Sequence, residues 1–279
     1  MSTESLSDRL FKRGVVKSFA KTVLNEALVA SPRTFIESVL LFAHVPCTRR
    51  LYVLRNGIRL HHDPETLDRM VIRECLINKF YTRYVGHEKL KAVVDLGAHK
   101  GYFVVGLLEK ISAVETLVCV EPLSENIEAI RSNLELNPNL SSKIGSLQIE
   151  QAAVTAAAGE VDFYITSNSV NHSIYDPKTF SSVVGKRTVK TIPLSSILAK
   201  YKLNEIDVLK IDIEGAEVEL FDSKEEFAAI LKSRQIIMET HPATDPRSST
   251  ALIDKLSQAG YRIHYPNEAF PEMVCAERK

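Results

Sequence analysis

The sequence lacks the features that mark a membrane protein or a disulfide-bonded secreted protein. Its four cysteines are scattered and form no C-x-x-C pair, so disulfides and a zinc site are both poorly supported. The longest mainly apolar run, residues 39–45, is far too short to span a bilayer. Residues 1–13 do not show the basic and then apolar order of a signal peptide. We therefore expect a cytoplasmic protein without a membrane partner.

An excess of charge of one sign is also absent, because 35 lysines and arginines balance 35 aspartates and glutamates. Nothing in the overall charge favours nucleic acid, and we expect no nucleic-acid partner. A local basic patch remains open around Arg49, Arg50, Arg55 and Arg59. The 279 residues are enough to bury a full hydrophobic core, in one large domain or in a domain with an extension.

Residues 1–48 are predicted to form a helical extension. The segments 15–30 and 32–44 carry apolar residues at helical spacing, with Ser31 as a cap and Pro32 at the first helical position. Such an extension could pack on the core, form a homodimer contact or cover the substrate. The sequence leaves these three roles open.

Residues 49–279 are predicted to form a single α/β domain, in which residues 49–84 lead into the core at 85–279. From about residue 90 onward, strand-like and helix-like segments alternate, as a parallel sheet requires. Seven main strands fit one doubly wound, Rossmann-like sheet. Strands are expected at 91–96, 116–121, 147–151, 206–212, 235–240, 261–265 and 272–276. Helices are expected at 101–111, 124–136, 215–221 and 248–259, and a side hairpin at 153–155, 161–166 and 188–193.

The leading segment carries a hairpin signal at residues 51–60. Asn56 and Gly57 lie between two strand-like runs, and both tolerate the positive φ of a type I′ turn. A helix is expected to follow from Asp63 to about Phe80, because proline and acidic residues occupy its first turn.

The most informative stretch is a strand that runs into a glycine-punctuated turn and then a helix, with Asp95 at the end of the strand. Gly97 and Gly101 leave room for a ligand pressed against the backbone, and nucleotide-like ligands bind in this crevice of open α/β sheets. A dinucleotide fingerprint would read G-x-G-x-x-G with an acid about 20 residues on. The order D-x-G-x-x-x-G, with Glu121 at the end of the next strand, instead favours S-adenosylmethionine over NAD.

Each residue of this crevice has an expected role in binding the cofactor. Asp95 is expected to bind the methionine amine, and Glu121 the ribose hydroxyls. The backbone amides of the glycine turn are expected to approach the methionine carboxylate, helped by the positive end of the next helix. Adenine is expected near residues 151–153, where small side chains leave a slot. The predicted cofactor-binding residues are Asp95, Gly97, Ala98, Gly101, Glu121, Asn126, Ala152 and Asp212.

Lys210 and Asp212 interrupt an aliphatic run in the predicted strand 206–212. Central parallel strands are covered on both faces and normally read as unbroken aliphatics, so isolated charges there would be costly. Because the two residues are two positions apart, both side chains point to one face. We expect them to pair and to open onto a polar pocket, and a purely structural ion pair is the alternative.

These motifs together resemble the FkbM-type S-adenosylmethionine-dependent methyltransferases. The resemblance runs from about residue 50 to the C-terminus and is most specific at residues 210–217, Lys-Ile-Asp-Ile-Glu-Gly-Ala-Glu. It implies a seven-stranded sheet with a reversed last strand, bound S-adenosylmethionine and, usually, O-methylation of a hydroxyl. Two positions depart from the family pattern: His99 and Lys100 replace small or neutral residues, and residues 193–195 lack the usual Leu-Asp.

Transfer of a methyl group to an alcohol requires the loss of a proton, so a general base is expected near the cofactor. Asp212, Glu214 and His241 are the catalytic candidates at the correct edge of the sheet. His241 titrates near neutrality, which is the property that a general base needs.

The polar loop at residues 166–175 is long for a connection and is predicted to gate the substrate. Asn168, His172 and Ser173 are its expected contacts. No metal is expected, because the candidate acids and histidines show no H-x-x-E or H-x₃-H spacing.

The sequence thus predicts an S-adenosylmethionine-dependent O-methyltransferase that acts on a small or medium-sized hydroxylated molecule. An NAD-linked oxidoreductase on a similar sheet is the first alternative, but the third glycine and a hydride-transfer site are lacking. The second alternative is a cofactor-binding module without catalysis, whose helical N-terminus binds a partner.

Overall fold

The computed structural model of the protein describes residues 26–42, 50–166, 172–175, 183–242, 249–266 and 271–278. Its strands, in chain order, are β1 (Leu51–Val53), β2 (Arg59–His61), β3 (Lys89–Leu96), β4 (Ala113–Val120), β5 (Ile144–Glu150), β6 (Ala153–Val154), β7 (Gly159–Thr166), β8 (Val183–Ile192), β9 (Ile206–Ile211), β10 (Ser233–Glu239), β11 (Tyr261–His264) and β12 (Met273–Arg278). Its helices are α1 (Pro32–Phe42), α2 (Asp68–Ile72), α3 (Tyr102–Lys110), α4 (Ser124–Glu135), α5 (Pro138–Ser141), α6 (Leu194–Lys200), α7 (Glu217–Asp222), α8 (Lys224–Ile230) and α9 (Thr250–Gln258). α2 continues into one π-helical turn, Arg73–Ile77.

Seven strands form the central sheet, in the order β11-β12-β10-β9-β3-β4-β5. β12 runs antiparallel to both of its neighbours, whereas β10 with β9, β9 with β3, β3 with β4 and β4 with β5 pair in parallel. The predicted doubly wound sheet with a reversed last strand is therefore confirmed. The order changes direction between β3 and β9, which is the topological switch point where ligands bind in open α/β sheets.

The two faces of the central sheet bury separate halves of the core, because successive residues of a strand point in opposite directions. Val93 of β3 and Val208 of β9 pack in the cluster that includes α3. Val94 and Leu209, one position further along, pack in the cluster that includes α6 and α7. All four side chains are fully buried, as expected for central parallel strands that are covered on both faces.

The segments predicted as a side hairpin form a separate three-stranded sheet in the order β6-β8-β7. β7 and β8 pair antiparallel along their length, and β6 pairs in parallel with β8. Phe163 of β7 packs in a small apolar cluster with Leu123, which follows β4, and with Ala153, which follows β5. The side sheet therefore lies against the carboxyl ends of these two central strands.

The hairpin of β1 and β2 is confirmed, but the predicted type I′ turn is wrong. Leu54 N donates to Ile58 O, and Gly57 N donates to Leu54 O, so the connection is a three-residue loop. Gly57 has φ +90°, whereas Asn56 does not have a positive φ. A type I′ turn needs a positive φ at both central residues, and here only the glycine adopts it.

The helix predicted from Asp63 to about Phe80 is shorter in the structure. α2 begins at Asp68, because Asp63 first forms a turn in which its carbonyl accepts from Thr66 N at 3.3 Å. The π-helical turn that follows α2 ends at Ile77. Such turns inside helices occur often at functional sites.

Part of the predicted helical extension lies within the described residues. Residues 26–29 are helical, the Ser31 hydroxyl accepts from Thr34 N at 3.3 Å, and Pro32 begins α1, so the predicted cap and helix start are confirmed. The homodimer contact expected from this segment stays a prediction. The exposed apolar side chains of this segment include Leu28, Ile36, Val39 and Leu40.

Among the helices of the described residues, none is long and apolar enough to cross a lipid bilayer. Three cysteines lie in the described part of the chain, Cys75, Cys119 and Cys275, and all are buried free thiols.

Candidate functional site

The carboxyl ends of β3, β4, β5 and β9 surround a cavity at one edge of the central sheet. The cavity opens to solvent, and the empty space in it, open solvent included, is about 590 Å³. Glu214 and His172 line it, together with five of the residues predicted to bind the cofactor. Those five are Gly97, Glu121, Asn126, Ala152 and Asp212.

The glycine turn after β3 is shaped by contacts within the chain. Gly97 has φ +79°, and a Cβ atom at this position would lie 1.8 Å from the carbonyl oxygen of Asp212. Gly101 has φ +76°, and a Cβ atom there would lie 3.3 Å from Ile130. The backbone conformation and the close neighbours therefore require Gly97, independently of any ligand.

The backbone amides of this turn already have acceptors. Gly97 N and Ala98 N both donate to Val120 O at 3.0 Å, and Gly101 N donates to Ala98 O at 2.9 Å. We predicted that these amides approach the methionine carboxylate. The arrangement argues against that role, because each amide has one hydrogen and that hydrogen is already used.

His99 occupies the centre of the turn with φ +48°, which is uncommon for a residue other than glycine. Its ring is edge-on to Tyr102, with the ring centroids 5.7 Å apart, and its Nε2 lies 3.9 Å from Asp68 Oδ1. Burial lowers the pKa of His99 to about 4, although Asp68 acts in the opposite direction. The imidazole is therefore neutral at pH 7 and does not repel a cationic ligand in the cavity.

Glu121 follows β4 and is almost fully buried at the cavity wall. Its carboxylate accepts from His99 N at 2.9 Å, and from Leu123 N and Asn126 Nδ2 at 3.0 Å each. Burial raises the pKa of Glu121 to about 7 despite these donors. The bonds hold the carboxylate in one orientation, and its remaining lone pairs can accept hydroxyl donors. Asn126, a weaker candidate in the sequence, thus positions Glu121.

Asp95 and Lys210 face each other as register partners in β3 and β9. Lys210 Nζ lies 3.1 Å from Asp95 Oδ1 and 3.3 Å from Asp212 Oδ2, and it donates to Gly97 O at 2.8 Å. Burial alone would lower the pKa of Lys210, but the two carboxylates raise it, so the ammonium group stays charged. The predicted pairing of Lys210 with Asp212 is present. Asp95 is fully buried behind the cavity wall, and Lys210 supplies the cation that we expected from the methionine amine.

The ends of β9 and β10 bring the three catalytic candidates together. His241 Nε2 lies 3.8 Å from Asp212 Oδ1 and 3.5 Å from Glu214 Oε2. On the other side of the ring, Nδ1 lies 2.9 Å from Oε1 of the buried Glu217. One side-chain atom from each of the three candidates lies within 4.8 Å of the others, which is close enough for all three to bind one metal ion.

The charges around His241 argue against its predicted role as a free general base. Burial alone would lower the pKa of His241, but Glu217 and Glu214 raise it well above its ordinary value. The imidazole therefore already carries a proton at neutral pH. Burial also raises the pKa of Glu214 well above its usual range, although His241 opposes this shift.

Sequence reasoning did not assign roles to three residues that extend this cluster: Tyr81, Glu239 and Glu74. The Tyr81 hydroxyl lies 2.5 Å from Glu239 Oε2 and 3.4 Å from Asp212 Oδ2. Burial, together with Glu239 and Asp212, raises the pKa of Glu74 to about 8. Glu74 lies in the π-helical turn. Its position therefore depends on an irregularity of the helix backbone that no sequence motif predicts.

Of the predicted gate residues, His172 and Ser173 lie in the described part of the chain, and Asn168 lies outside it. His172 lines the cavity, and its Nδ1 accepts from Thr166 N at 3.1 Å. Burial lowers the pKa of His172 to about 4, so this ring is also neutral at pH 7. Ser173 Oγ donates to Glu214 O at 2.6 Å, where the Glu214 backbone has φ +54°. Ser173 therefore supports Glu214, and gating stays a prediction.

Residues 95–263 match the family model described as the methyltransferase FkbM domain. This span begins at Asp95, the next-to-last residue of β3, and extends into β11. It therefore includes the glycine turn, the side sheet and the acidic cluster at the ends of β9 and β10.

Individual relatives are distant. The hexuronic acid methyltransferase AglP of Haloferax volcanii is 23% identical over 150 residues, which cover 52% of this chain and 59% of that protein. The chain thus spans about three fifths of the length of this curated relative. The solved structure of the methyltransferase FkbM from Methylobacillus flagellatus is similar over 95% of this chain and 60% of its own, with 15% identity and a TM-score of 0.47. A methyltransferase structure from Geobacter sulfurreducens is similar over 94% of this chain and 98% of its own, with 14% identity and a TM-score of 0.42.

Proposed function

The chain belongs to the FkbM methyltransferase family, and from that premise we propose that it transfers the methyl group of S-adenosylmethionine to a hydroxyl of a small or medium-sized molecule. When bound, S-adenosylmethionine supplies a methyl group on a positively charged sulfur, which an oxygen nucleophile attacks directly. The observation that carries the proposal is that Glu121, Asp212 and Glu214 line one cavity at the switch point of the sheet.

The charge of the cavity wall supports a sulfonium cofactor rather than a dinucleotide. Glu121, Asp212 and Glu214 line the cavity, and among the described residues no lysine or arginine does. Although burial opposes it, Lys210 and His241 hold the pKa of Asp212 below its ordinary value, so this carboxylate stays ionised and favours a cation. A dinucleotide would bring the negative charges of its pyrophosphate next to it, with no lysine or arginine of the described cavity wall to bind them. Glu121 accepts the ribose hydroxyls in this proposal, and the small side chains of Ala152 and Ala153 leave space for the base.

The acceptor is proposed to bind beside Asp212 and Glu214, at the end of β9. Its hydroxyl must lose a proton as the new oxygen–carbon bond forms. His241 already carries a proton at neutral pH, so we assign the activation of the hydroxyl to the cluster of Asp212, Glu214 and His241 as a unit. The name of the relative AglP concerns a hexuronic acid, and we therefore propose a sugar hydroxyl as the first class of acceptor to test.

A methyl-transfer assay tests this function. The full chain is incubated with methyl-labelled S-adenosylmethionine and a panel of neutral sugars, uronic acids and simple alcohols, and the products are analysed for methyl ethers. We expect label in a methyl ether, and we expect its formation to fall sharply in Glu121→Gln. Label found in amines or thiols and in no alcohol would contradict the assignment of oxygen as the acceptor atom.

A further inference from the structure

We propose that Asp212, Glu214 and His241 form a binding site for a divalent metal ion of the Mn²⁺ type. Ligands bound about 2.1 Å from one ion lie roughly 3 to 4 Å apart. His241 Nε2 is 3.8 Å from Asp212 Oδ1 and 3.5 Å from Glu214 Oε2. The distances from the imidazole nitrogen to both carboxylates therefore fit a shared ion, and all three ligand atoms lie within 4.8 Å of one another.

The orientation of His241 is that of a metal-binding imidazole. Its Nδ1 lies 2.9 Å from Glu217 Oε1, and Ile213 N donates to the same oxygen at 3.1 Å. A histidine that binds a metal commonly donates its other ring N–H to a carboxylate, which fixes the ring. Glu217 thus holds the imidazole so that Nε2 points at the carboxylates of Asp212 and Glu214.

A buried carboxylate beside the ligands, with one oxygen that lacks a hydrogen-bond partner, also points to a cation. Glu217 is fully buried, and its Oε2 has no hydrogen-bond partner in the described ranges of the chain. Lys210 cannot balance this charge, because it is shared between Asp95 and Asp212. In the metal-free chain the proton on His241 balances Glu217. A divalent ion that displaces the proton from Nε2 would take over this positive charge, and buried charges are costly unless they are paired or coordinate a metal.

The three ligands determine which ion is a suitable probe, and their positions in the chain explain why no sequence motif predicted a metal site. Two carboxylate oxygens suit Mg²⁺ and Mn²⁺, and an imidazole nitrogen suits later transition metals, so Mn²⁺ is a suitable probe for a mixed set. Asp212 and Glu214 follow β9, whereas His241 follows β10. Only the pairing of these two strands brings the ligands together, so their spacing along the chain matches no short metal motif.

A metal at this position has a consequence for the acceptor, which rests on the proposed function. The ion would lie beside the cavity that Asp212 and Glu214 line. A divalent ion there would lower the pKa of an acceptor hydroxyl bound to it, and the released proton would pass to water at the open side of the cavity. Acceptors with two neighbouring oxygens, such as a vicinal diol or a hydroxyl beside a carboxylate, would bind best.

Titration of the full chain with MnCl₂, followed by calorimetry and by electron paramagnetic resonance, tests the site without any cofactor or acceptor. We expect one Mn²⁺ per chain, and at least tenfold weaker binding in both Glu214→Gln and His241→Ala. Glu217→Gln is expected to weaken binding by roughly 10- to 100-fold, as is typical when the carboxylate partner of a ligating histidine is lost. Glu277→Gln is the control, because Glu277 faces His264 at 3.8 Å outside the site, and its Mn²⁺ affinity is expected to equal the wild-type value.

Absence of saturable Mn²⁺ binding to the wild-type chain would overturn the proposal, as would unchanged affinity in Glu214→Gln and His241→Ala. If Glu217→Gln does not fold, the Glu214→Gln result decides, because the Glu214 side chain is 25% exposed. A parallel titration with S-adenosylhomocysteine separates this proposal from the proposed function. Mn²⁺ binding without S-adenosylhomocysteine binding would support the metal site and contradict the methyltransferase activity.

Discussion

The ammonium group of Lys210 lies 3.1 Å from the carboxylate of Asp95, and both side chains are buried between β3 and β9. The same ammonium group lies 3.3 Å from Asp212, which lines the cavity. Asp95 therefore acts on the site through Lys210. Its contribution is to keep a buried cation in place beneath Asp212.

Replacing Asp95 by asparagine is expected to destabilise the fold. The buried ammonium group of Lys210 loses one of its two carboxylates, and breaking a buried ion pair costs about 3–5 kcal/mol of unfolding free energy. Urea unfolding followed by circular dichroism measures the loss. Glu88→Gln is the control, because Glu88 and Arg234 form an exposed pair at 2.7 Å, which is worth less than about 1 kcal/mol. Equal, small losses in both variants would show that Asp95 acts no differently from a surface charge.

The variants Gly97→Ala and Gly57→Ala together separate two costs to stability, that of the left-handed backbone conformation and that of close packing. Both glycines have positive φ, but a Cβ atom at Gly97 would lie 1.8 Å from Asp212 O, and one at Gly57 would meet nothing within 4 Å. We expect Gly57→Ala to cost about 1–2 kcal/mol, for the left-handed conformation alone. Gly97→Ala should cost more than about 4 kcal/mol, because the backbone of Asp212 must move. Thermal unfolding measures both, and similar midpoints would refute the packing explanation.

Glu121→Gln is expected to weaken S-adenosylhomocysteine binding by roughly 10- to 100-fold, since hydrogen bonds to a charged group are worth about 1.5–3 kcal/mol. Isothermal calorimetry measures the dissociation constant. Glu125→Gln is the matched control four residues along, because Glu125 is exposed and pairs with Arg187 at 2.5 Å. Wild-type affinity in Glu121→Gln would remove Glu121 from the binding site.

The affinity for S-adenosylhomocysteine is expected to rise with pH. Burial raises the pKa of Glu121 to about 7, so the carboxyl is mostly protonated at about pH 6 and mostly ionised at about pH 8. The ionised form is the better acceptor of ribose hydroxyls. Binding therefore strengthens as the pH increases through 7, by about tenfold in total if only the ionised form binds. Calorimetry at three pH values should show this trend in the wild type and lose the step near pH 7 in Glu121→Gln. A wild-type affinity that does not change with pH would contradict it.

The central sheet could be predicted because each of its strands is marked by an aliphatic run within its own short segment of sequence. Val93 and Val94 in β3 belong to aliphatic runs that both faces of the sheet bury, and such runs are typical of central parallel strands. Glu121 could also be assigned to the cavity wall, because the ends of neighbouring parallel strands meet at one edge. The type of turn at Asn56 was not predicted correctly, since Asn-Gly is compatible with more than one hairpin loop.

The electrostatics of the site could not be predicted, because they depend on distant segments. The partner of Asp95 is Lys210, and the pair forms only when β9 adds to β3. Glu74 and Tyr81 both come from the segment before β3 and face Asp212. Glu74 lies in a π-helical turn and Tyr81 follows it, and the periodicity of the sequence does not predict this turn. The raised pKa of His241 follows from Glu217 and Glu214, whose distances from it are set by the fold. His241, which the sequence suggested as a general base, therefore carries a positive charge at neutral pH.

The most direct test of the proposed cofactor is a pair of calorimetric titrations of the wild-type chain, one with S-adenosylmethionine and one with NAD. The cavity is lined by three acidic side chains, Glu121, Asp212 and Glu214. We expect saturable binding of one S-adenosylmethionine per chain and no binding of NAD. Saturable binding of NAD, with no heat from S-adenosylmethionine, would contradict it.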